Sequence, residues 1–151
     1  MKILALVDRG TGRARTMVID SVSRRAIMPI VMGNIAKEST LMTDESVIYS
    51  KARYHFAQHG SVSHSAGEYV SSANDAIHSN TVEGYFSIFK RGMKGIYQHC
   101  GEQHLHRYLA EFEFRYNNRA ALGCNDSDRS VAALAGIVGK RLTYARPDLD
   151  A

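Results

Sequence analysis

Five consecutive apolar residues, Ile3-Leu4-Ala5-Leu6-Val7, follow Lys2 without the polar alternation of a strand that wets one face. A strand that is apolar on both faces has to be covered above and below. The layouts that do this lay helices over a sheet and keep such a strand inside it. A second run, Ala14 to Ile19, comes after Arg9-Gly10-Thr11-Gly12-Arg13, which offers two glycines for positive φ in a tight connection. The two runs therefore predict an antiparallel hairpin.

Downstream the period changes. Ile27, Ile30, Val31 and Ile35 form a helical stripe after Ser23, with Pro29 blurring where the helix starts. Thr40-Leu41-Met42-Thr43 predicts a short strand ending at Asp44-Glu45, Ser50 to Gln58 a helix stopped by His59-Gly60, and Ser61 to His64 a further strand. Val82, Tyr85, Phe86, Phe89, Met93 and Ile96 recur at three and four, the clearest periodicity in the chain, and Asn80, Glu83, Ser87, Lys90 and Lys94 line the opposite side of that helix. Leu105, Tyr108, Leu109, Phe112 and Tyr116 give a second long helix with an aromatic stripe. Ser127 or Asp128 caps a shorter third one through Val131, Leu134, Ile137 and Val138, weakened or closed by Gly139. The whole predicts an α/β domain over residues 1–145, a sheet covered by helices, with a loose tail at 146–151.

The 151 residues are enough for one domain, and 44% hydrophobic with 23% charged residues excludes a disordered chain. The apolar charge-free run of the N-terminal half extends only from Ala26 to Ala36, about half of the roughly 20 residues a membrane span takes. The apolar run at the N-terminus is shorter than the core of a secretory signal, so export is not expected. Cys100 and Cys124 are far apart in sequence, which gives no support to a zinc site or a disulfide framework and suits a reducing cytoplasm. A net charge of +4 permits phosphate binding without requiring it.

Chemistry concentrates at two places. Asp44 sits where a strand hands over to a loop, a favourable place for a ligand-binding carboxylate and equally the place of an ordinary turn aspartate. Glu83 and Lys90, seven apart on one helix, project within about 20° of each other and roughly 10 Å apart along the axis. Carboxylates on different elements can hold Mg²⁺, and a lysine along the same face can meet a phosphate. A turn residue and a solvated polar row remain the commoner roles for these residues when each is taken alone.

The string His78-Ser79-Asn80-Thr81-Val82-Glu83-Gly84-Tyr85-Phe86-Ser87-Ile88-Phe89-Lys90-Arg91 resembles the signature of the ISXO-like transposases of bacterial insertion sequences, members of the DDE transposase and retroviral integrase superfamily. Three more segments agree in order: Met42-Thr43-Asp44-Glu45 with Tyr49; Val62-Ser63-His64-Ser65 with Glu68-Tyr69-Val70; and the run Tyr108 to Arg119. The resemblance weakens after about Arg119. It implies a ribonuclease-H-like fold and DNA transposition by metal-dependent strand cleavage and transfer, using Mg²⁺ or Mn²⁺ ions about 4 Å apart. It further implies Asp44 and Glu83 as metal ligands, Asn80 as a competitor of Glu83 for the last catalytic position, and Lys90 as a catalytic residue near the cleaved phosphate. Lys90, Arg91, Lys94 and Arg119 would contact DNA, at insertion-sequence ends and target, in the cytoplasm at the nucleoid. His64 matches a family position of unassigned role, and a homo-oligomer is open.

The family's first catalytic aspartate, in an Asp-Glu-Thr type motif on a preceding strand, has no counterpart here, and Asp8 and Asp20 are explained by their places at strand ends. The expectation is a chain truncated at its N-terminus, a partial catalytic domain with an unpaired edge or an apolar groove beside residues 2 to 7. Its competitors are a non-catalytic DNA-binding remnant and an unrelated α/β binding module.

Overall fold

The computed structural model describes residues 2–63, 65, 70–71 and 74–140. Two compact units are present, Met1–Asn117 and Asn118–Ala151. Among the described residues no helix is long and apolar enough to cross a membrane.

The hairpin forms as expected, β1 Ile3–Val7 against β2 Ala14–Val18, with Ala5 opposite Thr16 and Val7 opposite Ala14. Asp8 N–H donates to Arg13 O at 2.8 Å and Ile19 N–H to Lys2 O at 3.1 Å. Since an antiparallel ladder alternates, Leu4 and Leu6 also bond towards β2, while Ile3, Ala5 and Val7 turn their N–H and C=O groups to the other edge. On β2 the outward residues are Ala14, Thr16 and Val18. Side chains alternate likewise. Leu4, Leu6, Met17 and Ile19 pack with Ile27, Met28 and Val31 of α1 Arg24–Asn34 and with Leu41, Ala52 and Phe56. Ile3, Ala5, Val7 and Ala14 pack with Tyr85 and Phe89 of α2 Asn80–Gly92 and with Leu105 and Leu109 of α3 Leu105–Asn117. The hairpin is thus covered on both faces, as its composition requires.

Its position in the sheet departs from expectation. Among the described residues β1 pairs only with β2, so the strand expected inside a sheet stands at an edge, with the unpaired side expected beside residues 2 to 7. β3 Thr40–Asp44 pairs in parallel with β4 Gln58–Val62, and β5 Val70–Ser71 pairs antiparallel with β6 Asn74–His78. Among the described residues these are three two-stranded pairings rather than one sheet. The architecture is mixed α/β with small sheets and several helices.

α1 starts at Ser23, whose hydroxyl accepts Ala26 N–H at 3.3 Å, and runs through Pro29, which is exposed, so water can serve the carbonyl its ring leaves unpaired. The helix expected over Ser50 to Gln58 is absent. Two 3₁₀ turns, Val47–Tyr49 and Ala52–Tyr54, lead into β4, which begins at Gln58. Ala52 and Phe56 are buried in the core, but two apolar anchors in nine residues cannot separate one helix from two turns. Gly60, read as part of a helix stop, lies within β4 because Ile77 crosses over it: a Cβ there would sit 2.8 Å from Ile77 Cγ2. The strand expected at Ser61 to His64 is β4 starting earlier, and His64 lies outside the described residues, as do Glu68 and Tyr69.

α2 continues into a π-helical turn, Met93–Tyr97, which leaves Ile96 exposed although it falls on the apolar stripe. α2 and α3 approach closely at Gly92, where a Cβ would meet Phe112 Cζ at 2.2 Å. Edge-on ring pairs at 5.1 Å, Tyr85 with Tyr116 and Phe89 with Phe112, fill the seam.

In the second unit the short helix α4, Asp126–Ala135, is capped not by Ser127 or Asp128 but by Asn125, with Asp128 returning the bond in a capping box. It ends before Ile137 and Val138, and the segment expected as a tail, 146–151, lies outside the described residues.

Candidate functional site

β1, β3, the N-terminal part of α2 and the end of α1 enclose a cleft of about 1100 Å³. Asp44 and Glu83 both line it. Asp44 is the last residue of β3 and is exposed, and its Oδ1 accepts Ser46 N–H at 3.1 Å, so one carboxylate oxygen holds the turn. Its negative charge adds to burial in pushing the neighbouring Tyr49 phenol above its ordinary range. Glu83 stands in the first turn of α2, where the helix dipole favours a carboxylate, and it accepts the hydroxyl proton of Ser79. Ser79 precedes the helix but makes no side-chain bond to its backbone, which leaves its hydroxyl for Glu83.

Of the other expected residues in the first unit, Asn80, Lys90, Arg91 and Lys94 do not line the cleft. Asn80, the first residue of α2, is exposed and does not line it. Lys90 and Arg91 occupy the last turn of α2 and Lys94 the π-helical turn, all exposed, at the helix end that favours cations. Arg119 belongs to the second unit.

Three features of the site escaped the sequence. Glu45, beside Asp44, accepts the hydroxyl of Ser63 and, at 3.0 and 3.1 Å, the N–H and hydroxyl of Ser65, tying the end of β3 to the chain leaving β4. Arg9, next after the β1 strand end, donates to Ala76 O at 2.6 Å and contacts His78 Nε2 at 2.8 Å. Arginine only donates, so Nε2 accepts and the ring proton sits on Nδ1, a buried atom with no partner among the described residues. Each bond joins segments far apart in sequence, 20 residues for Glu45 to Ser65 and 69 for Arg9 to His78, and no local spacing rule reaches that far. The only available signal was that Glu45 and His78 both lie inside the motif strings quoted above.

Carboxylate oxygens on two elements suit a hard divalent cation such as Mg²⁺, which keeps several waters and binds through one or two carboxylates plus phosphate oxygens. Among the described residues no three of His, Cys, Asp or Glu are grouped so as to hold a metal ion. Asp44 and Glu83 therefore fit in donor chemistry and fall short in number of a self-sufficient two-ion site.

A family model described as an ISXO2-like transposase domain matches residues 1–117. No curated protein matches the chain, and no solved structure does.

Proposed function

Because the chain belongs to the ISXO2-like transposase domain family, we propose that it serves DNA transposition through metal-dependent strand cleavage and transfer. Membership sets aside the reading as an unrelated binding module. The observation that carries the proposal is that Asp44, from the end of β3, and Glu83, from the start of α2, line one cleft. They are the proposed metal carboxylates, with Asn80 one turn from Glu83 as its competitor. Bound Mg²⁺ or Mn²⁺ would activate the attacking oxygen and stabilise the leaving one. Lys90 is proposed as the catalytic lysine nearest the phosphate. Lys90, Arg91, Lys94 and Arg119 are proposed to grip the DNA backbone, at element ends on a mildly basic chain. The proposed setting is the cytoplasm, at the nucleoid, with a homo-oligomer open.

Two carboxylates leave a two-ion centre short of oxygen ligands, so this chain alone is proposed to be inactive, the remaining carboxylate coming from a strand outside these 151 residues. That shortage also favours a second reading, a remnant that binds DNA and catalyses nothing. The deciding assay is cleavage of insertion-sequence end DNA with Mg²⁺ or Mn²⁺ by the 151-residue chain and by one extended with an upstream strand bearing Asp-Glu-Thr. Activity confined to the extended chain and lost in Asp44→Ala supports the transposase reading. An inactive extended chain leaves the DNA-binding one. Cleavage by the short chain that survives Asp44→Ala defeats the assignment of Asp44. For DNA binding, log affinity should fall with log salt by about 0.9 per neutralised phosphate, and Lys90→Ala with Arg91→Ala should flatten that slope. An unchanged slope removes this surface.

A further inference from the structure

Among the described residues no backbone pairing joins the β3–β4 pair to the β5–β6 pair. The spacing between Asp44, at the end of β3, and Glu83, in the helix that follows β6, is therefore left to side chains. Ile77 over Gly60 supplies an apolar contact between the two pairs, which has no preferred direction. The directional contact comes from Arg9. Its Nη1 donates to Ala76 O at 2.6 Å and meets Met42 Sδ, and its Nη2 donates to His78 Nε2 at 2.8 Å. One guanidinium thus spans β3 and β6. Met42 stands two residues before Asp44 and shares its face of β3. His78 is followed directly by Ser79, whose hydroxyl donates to Glu83. Asp8, beside Arg9, is engaged by Gly10 N–H and Thr11 Oγ1, so Arg9 has no carboxylate partner among the described residues and its donors go to neutral acceptors. Because His78 accepts at Nε2, its ring proton sits on Nδ1, buried and without an acceptor among the described residues. Buried donors are ordinarily paired, so this orphan marks a ring whose tautomer is dictated from Nε2 by Arg9.

We propose that Arg9 is a positioning residue, whose forked guanidinium sets the separation of Asp44 and Glu83 by bridging β3 to the end of β6, from which α2 starts. It acts through Met42 on one side and through His78 and Ser79 on the other, and it touches no reacting atom. Reacting groups work only when the side chains behind them hold them to a fraction of an ångström, and here the backbone ladder does not do so. Arginine suits the place because its planar fork meets acceptors on two elements at once, whereas a lysine ammonium is a point charge on a flexible stem. The inference rests on the reading of Asp44 and Glu83 as the carboxylates of strand cleavage and transfer, and it adds a residue that the motif strings do not contain.

Spin labels read the separation directly. Val47→Cys lies three residues after Asp44 and Ser87→Cys one turn after Glu83, both at exposed positions, in the 151-residue chain with Cys100→Ala and Cys124→Ala and without metal or DNA. The parent should give one narrow distance between the labels. Arg9→Met and Arg9→Lys should both broaden or shift it while the urea midpoint stays in place, because Arg9 is exposed. By nitrogen NMR the neutral His78 ring should carry its proton on Nδ1 in the parent, and in Arg9→Met the Nε2–H form should become the major one. In the chain extended by the strand bearing Asp-Glu-Thr, Arg9→Met should lower kcat about tenfold to a hundredfold with KM held within about twofold, the pattern of misplaced reacting groups rather than of weakened binding. An unchanged label distance in Arg9→Met overturns the proposal. So does a distance that Arg9→Lys preserves in full, which would reduce the fork to a charge, and so does parental kcat in extended Arg9→Met. A parent ring protonated on Nε2 overturns it without any variant, so a misfolded Arg9→Met chain does not shield it. An extended parent chain that cleaves nothing strikes the reading of the two carboxylates instead, and the label distance and the tautomer still decide whether Arg9 sets the spacing.

Discussion

The two outer edges of the β1–β2 hairpin have opposite fates. Along β2, Asn117 Nδ2 donates to Ala14 O at 2.8 Å and Asn117 Oδ1 accepts Ala14 N–H at 2.7 Å, which is the bonding of a neighbouring strand made by one side-chain amide. One turn earlier on α3, Glu113 accepts Thr16 N–H at 2.6 Å and the Thr16 hydroxyl at 2.8 Å. Along β1, Ile3, Ala5 and Val7 line the cleft, with no strand paired to that edge among the described residues. A helix seals one edge by spending polar side chains on it, whereas no such residue is spent on the other. Edges are ordinarily blunted with charge, proline or a covering element. The difference teaches that this fold closes one edge of the hairpin with its own helix and leaves the other bordering the cleft.

The largest test breaks the seal. Asn117→Ala leaves both Ala14 backbone groups without partners at a residue only 5% exposed, and urea unfolding should show a loss of about 2–4 kcal/mol. A loss under about 0.5 kcal/mol would mean that water or repacking serves that edge as well as asparagine does. The next test sets the two edges against each other at one cross-strand pair, Ala5 opposite Thr16. Thr16→Pro removes a donor to a carboxylate and should cost about 2–3 kcal/mol, while Ala5→Pro removes a donor that faces the cleft and should cost under about 1 kcal/mol. Equal costs would erase the distinction.

The smallest test moves to the far wall of the cleft. Burial pushes the His59 imidazole, bonded to Thr43 Oγ1 at 2.9 Å, below its ordinary value near 6.5. Between its two pKa values the unfolded chain binds more protons than the folded one. The contribution of the neutral ring is therefore complete above about pH 6.5 and is lost as pH falls below it. Melting temperature should drop more between pH 7.5 and pH 5 in the parent chain than in His59→Gln, and identical pH profiles would refute the assignment.

What the sequence made legible follows the range of the interaction. The hairpin, α1, β3 and both long helices were readable because period and turn chemistry are local, and the string from His78 to Arg91 carried the family. The two 3₁₀ turns were misread because Ala52 and Phe56 alone cannot distinguish a short helix from two turns. β6 gave no signal, since Asn74-Asp75-Ala76 has little apolar pattern and the strand is held by its pairing with β5 and by Ile77 over Gly60. Asp44 and Glu83 were named from motif positions, but their common cleft was beyond any spacing rule. Glu45, adjacent to Asp44, went unread because its partners at Ser63 and Ser65 lie across a sheet crossover.

The seal on β2 also has a history in time. Ala14 and Asn117 are 103 residues apart, whereas a hairpin closes in about 1–10 μs. At about 5–20 residues per second, a ribosome takes roughly 5–20 s to travel from one to the other. Throughout that interval the newborn hairpin carries two adhesive edges instead of one, and the arrival of a single amide on α3 closes the period in which β2 can recruit a strand from a neighbouring nascent chain.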